Sequence, residues 1–167
     1  MNSMFGKRRI NMTRIDLKQL ADFLEEANKN TYANRDAPKS ASTRLKSDDY
    51  HFEKGDLIYH DTYFGSRDFI GEEVVYKNNE PVWGMNYYGY IFSETTNERE
   101  LYGFLKQALI QEYSDIIPVR GPGNYQKDDW EYNNSADGKL DRFTGVEEIY
   151  RAGVLVYKAY YHGGFIE

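Results

Sequence analysis

The chain has 167 residues, a formal net charge of −6 and no cysteine. That length predicts one domain with a core of its own, and the missing thiols exclude disulfides, thiolate zinc sites, iron–sulfur clusters and cysteine nucleophiles. The acidic balance argues against direct nucleic-acid binding, which draws its affinity from basic side chains on phosphate, and no apolar run approaches the roughly 20 residues of a membrane span.

Residues 1–12 predict a flexible tail, with the domain proper over 13–167. The tail's basic run, Lys7-Arg8-Arg9, reads as solvated chain rather than a nucleic-acid arm, and without an apolar h-region it is no secretory signal. A cytoplasmic protein is expected. A helix follows from Asp16 to Lys29, with Leu20, Phe23, Leu24 and Ala27 on one face and Asp16 with Gln19 as a capping box. The polar stretch Asn30 to Asp49 lacks periodicity and reads as a loop. Three strands are predicted next, Asp56–Asp61, Phe69–Lys77 and Pro81–Ile91, the last two joined by a tight turn at Asn78-Asn79. A second helix begins near Thr95, capped with Glu98, and carries Leu101, Phe104, Leu105 and Ala108 on its apolar face. After Pro118 and the Gly121-Pro122-Gly123 cluster, strands are predicted at Gln126–Asn133, Phe143–Arg151 and Val154–His162, with Ala152-Gly153 as a turn.

Helix and three strands thus occur twice, and residue identity supports the pattern. Aligned without a gap, Phe69 falls on Phe143, Gly71 on Gly145, Glu73 on Glu147, Tyr76 on Tyr150, Tyr87 on Tyr161 and Gly89 on Gly163. The expected fold class is α+β: a duplicated αβββ–αβββ unit with a mainly antiparallel sheet and pseudo-twofold symmetry, its repeats at about 14–92 and 95–166. A two-residue turn at Asn78-Asn79 sets Val75 opposite Val82 and Glu73 opposite Gly84. Val74, Tyr76, Trp83, Met85 and Tyr87 then share the core face. In the second repeat Val146, Tyr150, Tyr157 and Tyr161 do so, and Glu147 pairs with Lys158 across the hairpin.

The composition holds 16 Tyr, a residue suited to half-wet pockets as well as to sheet packing. The string Tyr59-His60-Asp61-Thr62-Tyr63-Phe64-Gly65 gives way to Asn133-Asn134-Ser135-Ala136-Asp137-Gly138 in the second repeat. What only one repeat keeps marks a functional region, and His60 beside Asp61 suggests an oriented base, although neighbouring strand residues point to opposite faces. There is no G-x-S-x-G elbow and no phosphate-cradling glycine loop. The three histidines, His51, His60 and His162, are too scattered for a metal motif.

The run YHDTYFGSRDFIGEEVVYKNNEPVWGMNYYGY, with FTGVEEIY and YYHGG, resembles a family of bacterial domains of unknown function found alone or behind XRE-type helix-turn-helix domains. The resemblance spans about Leu17 to Ile166. It implies an effector-sensing or interaction module and carries no catalytic residue over.

The expected function is a small-molecule or partner-binding module with an aromatic cleft between the repeats, lined by His60, Tyr63, Glu73, Trp83, Tyr87, Tyr161 and His162. A small hydrolase using His60 or Glu73 and a protein-interaction domain are the alternatives, and whether the chain is an enzyme stays open. No metal or cofactor is expected. The partner is a small molecule or a protein, a homodimer included, with no direct contact to nucleic acid or membrane.

Overall fold

Asp16 turns its carboxylate back on the chain, where Oδ1 accepts the Gln19 amide at 2.8 Å and caps α1 (Leu17–Asn30). In the computed structural model, which describes residues 15–34, 36–92, 94–111 and 119–167, α1 buries the four side chains named for it, Leu20, Phe23, Leu24 and Ala27. The tail expected over 1–12 lies outside the described residues. Helix α2 (Glu98–Leu109) buries Leu101, Phe104, Leu105 and Ala108. Its cap is Asn97, not Thr95. Asn97 is extended and its Oδ1 accepts the amides of Arg99 and Glu100 at 3.0 and 3.2 Å. Each large apolar side chain so buried contributes roughly 1.5–3 kcal/mol, which anchors both helices to the sheet.

Eight strands form that sheet: β1 (Asp48–Lys54), β2 (Leu57–Gly65), β3 (Asp68–Lys77), β4 (Glu80–Ile91), β5 (Asn124–Lys127), β6 (Trp130–Lys139), β7 (Arg142–Arg151) and β8 (Val154–Phe165). The order is β1-β2-β3-β4-β8-β7-β6-β5, antiparallel throughout. This overturns the duplicated αβββ expectation: the fold is one sheet-dominated layer in which four strands, not three, follow each helix. The strands missed are the two edges. The sequence of β1, DDYHFEK, is polar, and β5 has four residues, NYQK. Edges are commonly short and charged, which discourages pairing with other chains and also hides them from a hydrophobicity reading. The segment Asn134–Gly138, beyond the strand predicted at Gln126–Asn133, lies within β6.

The tight turns are where the residues put them. Asn78 and Asn79 have φ of 52° and 66°, Ala152 and Gly153 of 47° and 77°, the left-handed pair that two-residue hairpins need. The register beyond each turn is not as expected. A bulge between Val75 and Tyr76 sets Val75 opposite Trp83 and Glu73 opposite Met85. A matching bulge between Ile149 and Tyr150 sets Glu147 opposite Ala159. One extra residue reverses which side chains share a face. Glu73, Val75, Trp83, Met85 and Tyr87 therefore lie together, and Val74 and Tyr76 lie on the other side. Lys158 pairs with Glu148 at 2.8 Å instead of Glu147.

Both helices cover the same face. Under α1 lie Tyr59, Val75, Trp83 and Met85, and under α2 lie Tyr132, Ile149, Val156 and Tyr157. The opposite face leaves Ile70, Tyr88 and Tyr160 exposed. Over the β1–β2 corner it is covered by the segment leading into β1, through the Ser40–Asp49 bridge and the Arg44–Glu72 ion pair.

Candidate functional site

The gap between the helices is a cavity of about 340 Å³. Its floor is strand: Asp61 from β2, Phe69 and Glu73 from β3, Tyr87 from β4 and Tyr157 from β8. Its walls are Asn28 and Tyr32 at the end of α1, Tyr50 and Tyr63 from the outer strands, and Tyr102, Leu105, Lys106 and Leu109 from α2. Tyr102 donates its hydroxyl to the Ser66 carbonyl and ties α2 to the β2–β3 turn. Tyr50 stacks on Tyr63 at 6.1–6.3 Å from the Tyr32 ring, which meets both edge-on.

Two carboxyls sit at the bottom. Asp61 and Glu73 are cross-strand partners, 2 % and 4 % exposed. Strand partners on one face hold their Cβ atoms about 5 Å apart, so the carboxyls feel each other. Asp61 Oδ1 accepts the Tyr87 hydroxyl at 2.7 Å. Glu73 Oε2 and the hydroxyl of Tyr59 behind it are both buried without a well-formed hydrogen bond, and the Tyr59 hydroxyl pulls on the Glu73 carboxyl. Burial pushes Asp61 up to about 7 against the opposing pull of its Tyr87 bond and of Arg120. Burial and the Asp61 charge push Glu73 up to about 8. Burial likewise raises the phenols of Tyr50 and Tyr63 to about 12.

The cation nearest this floor is Arg120, which is committed elsewhere. Its Nη2 and Nε meet Glu147 Oε1 and Oε2 at 2.6 and 3.0 Å. Glu147 also accepts the hydroxyls of Tyr132 at 2.9 Å and Tyr157 at 2.6 Å. The loop carrying Arg120 is clamped to β6: Asn134 Nδ2 donates to the Gly121 carbonyl at 2.9 Å, and the Gly121 amide donates to the Tyr132 hydroxyl at 3.1 Å.

Of the residues singled out by sequence, Tyr63, Glu73 and Tyr87 line the cavity. Trp83 is core, fully buried with its indole N–H on the Leu140 carbonyl at 2.9 Å. Tyr161 donates to Asn134 Oδ1 at 2.7 Å in the second half of the sheet. His60 and His162 lie on the opposite face, where His162 is exposed across from Thr144. His60 Nε2 meets Asp49 Oδ2 at 2.8 Å. Burial would raise Asp49, but hydrogen bonds from Ser47, Thr43 and His60 hold it well below the usual carboxylate range, so this cluster is a satisfied brace. Sequence reasoning gave Asp61 only as the neighbour of His60 and Tyr157 only as core, and it left Arg120 and Tyr102 unmarked. Strand alternation was the available signal for Asp61: if His60 faces one side, Asp61 faces the other. Arg120 carried none, because its partner lies 27 residues on.

Among the described residues no group of three or more His, Cys, Asp or Glu could hold a metal, and no helix is long and apolar enough to cross a membrane. No curated protein and no solved structure matches the chain. A family model covers residues 61–166, a span that begins at Asp61 and takes in Glu73, Tyr87, Arg120 and Glu147. The chain belongs to that family, described as Domain of unknown function (DUF5680).

Proposed function

We propose that the chain is a small-molecule-binding module whose site is the cavity between α1 and α2. The observation that carries this reading is Glu73, a carboxyl buried at the floor of an aromatic cavity with one oxygen lacking a well-formed hydrogen bond. Buried polar atoms are almost always satisfied, and an orphan in a concave site is best explained by a group that arrives with the ligand. The volume of about 340 Å³ suits a small metabolite. A cytoplasmic effector sensor, working with a bacterial DNA-binding unit of the XRE type, is the biological setting that the family resemblance favours.

The hydrolase alternative loses His60, which faces away from the cavity. It keeps Asp61 and Glu73 as an acid–base pair, so a ligand found here should also be checked for turnover.

A thermal-shift screen against a metabolite library tests the reading. A true ligand at about 100 times its Kd should raise Tm by roughly 5–10 °C. That shift should vanish when Tyr63 or Tyr102 is cut to Ala. A screen with no stabilising compound, or shifts indifferent to both truncations, would sink it.

A further inference from the structure

Resting on that cavity reading, we infer that the ligand is an organic cation: an ammonium group seated on Asp61 and Glu73, with an apolar or aromatic body among Tyr32, Tyr50, Tyr63 and Tyr102. Three observations converge on it. The polar floor is built of acids, and Glu73 Oε2 is buried without a well-formed hydrogen bond, with the Tyr59 hydroxyl pulling on the carboxyl. The walls are ring faces, which attract cations. They already do so here: Lys106 Nζ lies 4.8 Å from the Tyr32 centroid, Lys39 Nζ 5.5 Å from that of Tyr63, and the Arg120 guanidinium 5.8 Å from that of Tyr87. Third, the guanidinium bordering the floor pulls on both acids but bonds Glu147 through both oxygens, and burial still holds the two floor acids up.

An anion would meet two acids at the floor. A neutral alcohol could satisfy Glu73 Oε2 by a hydrogen bond but brings no charge to take the place of the floor's proton. The other charges facing the floor are accounted for element by element. Before β1, Lys39 is paired with Asp48 at 2.8 Å. On α2, Glu98 is paired with Arg67 at 3.3 Å, and Lys106 rests on Tyr32. From β1, the Asp49 charge acts on Asp61 through the sheet, and from β2 and β4 the neutral phenols of Tyr59 and Tyr87 face the pair. From β7, Glu147 adds a further negative charge, offset by Arg120.

Binding then exchanges a proton for the ligand's charge. An ammonium entering over a protonated floor carboxyl leaves an ammonium–carboxylate pair and one proton released to buffer. The carboxyl O–H bond is the one bond broken, and its proton passes to buffer base.

The test is calorimetric titration of the full chain with 2-phenylethylamine, its neutral isostere 2-phenylethanol and the anion 3-phenylpropionate. It is run at about pH 6 and about pH 8.5, either side of the floor carboxyls, in two buffers of different ionisation enthalpy. The amine should bind about tenfold or more tighter than either isostere, gain a further severalfold at the higher pH, and show buffer-dependent heat from proton release at the lower. Glu73→Gln and Asp61→Asn should each remove the preference for amine over alcohol while alcohol binding survives. The proton release is read on the unaltered chain and so stands whether or not those variants fold. If the alcohol or the carboxylate equals the amine, or if the metabolite screen returns only neutral and anionic ligands, the inference fails and the cavity reading survives. If neither the screen nor any probe at about 10 mM gives binding, both fall.

Discussion

Glu73 and Glu147 occupy matching places in the two halves of the sheet and meet opposite fates. Each sits in the strand before a final hairpin, two residues ahead of a bulge, on the helix-covered face. Each has a tyrosine behind it, Tyr59 or Tyr132, and a polar cross-strand partner, Asp61 or Asn134. Each partner accepts a phenol at 2.7 Å, from Tyr87 or Tyr161. The second half supplies Glu147 with a bidentate guanidinium and two phenols, and there the carboxylate is a structural keystone. The first half replaces the neutral Asn134 with the acid Asp61, leaves a Glu73 oxygen without a well-formed hydrogen bond and opens a cavity above it. The same scaffold is closed with hydrogen bonds on one side and left open on the other, and the open side is where chemistry can enter.

The largest expected effect comes from breaking the closed side. Arg120→Met strands Glu147, which has no exposure, and should cost about 3–5 kcal/mol in urea unfolding. Arg120→Met with Glu147→Gln should recover a substantial part. A single variant within about 1 kcal/mol of the parent would refute the keystone role.

The open side should reveal itself through pH. Asp61 and Glu73 are raised to about 7 and about 8, so the folded state binds their protons more tightly than the unfolded chain. The stability they contribute is complete below their ordinary carboxylate range and is lost as pH rises through about 8. Without ligand, stability should therefore fall from pH 5 to pH 8.5, and Asp61→Asn, which copies Asn134, should flatten the slope. A profile that rises over this interval, or a slope untouched by Asp61→Asn, contradicts the assignment.

Two glycines sharpen the same contrast. A Cβ on Gly71 would fall 2.3 Å from the Tyr87 hydroxyl, and one on Gly145 would fall 2.3 Å from that of Tyr161. Both alanine variants should lose roughly 1–3 kcal/mol by overpacking. Only Gly71→Ala moves a ring that bonds Asp61, so only it should shift the pH slope and weaken the ligand. Equal consequences at the two sites would erase the functional difference drawn between the halves.

The smallest effect belongs to the open face. Lys158→Ala breaks the half-exposed pair with Glu148 and should cost less than about 1 kcal/mol, with the ligand unaffected. A larger loss in thermal unfolding would mean that the face contributes more than a solvated surface does.

Much of the frame was legible in the residues, and the reasons are local. Asp16 and Gln19 mark a helix start within four residues. The 3.6-residue period gives the buried faces of both helices. Asn78-Asn79 and Ala152-Gly153 declare their turns because few residue pairs tolerate two consecutive positive φ angles. The bulges left no such mark. An extra residue looks like any other in a strand pattern, yet it moved Glu73 from beside Gly84 to beside Met85 and onto the helix-covered face. The polar edge strand β1 was not marked as a strand because its residues owe their conformation to pairing with β2 rather than to their own pattern.

By itself, then, the sequence determined the two helices and the hairpins at β3–β4 and β7–β8, since each follows from contacts a few residues apart. Which acid is satisfied and which is open was decided by tertiary structure alone. Arg120 reaches Glu147 across 27 residues, Tyr87 reaches Asp61 across 26, and α1 and α2 part above the sheet to leave the cavity. Such contacts depend on where folding brings distant side chains, and burial then sets the charge that each of them can carry.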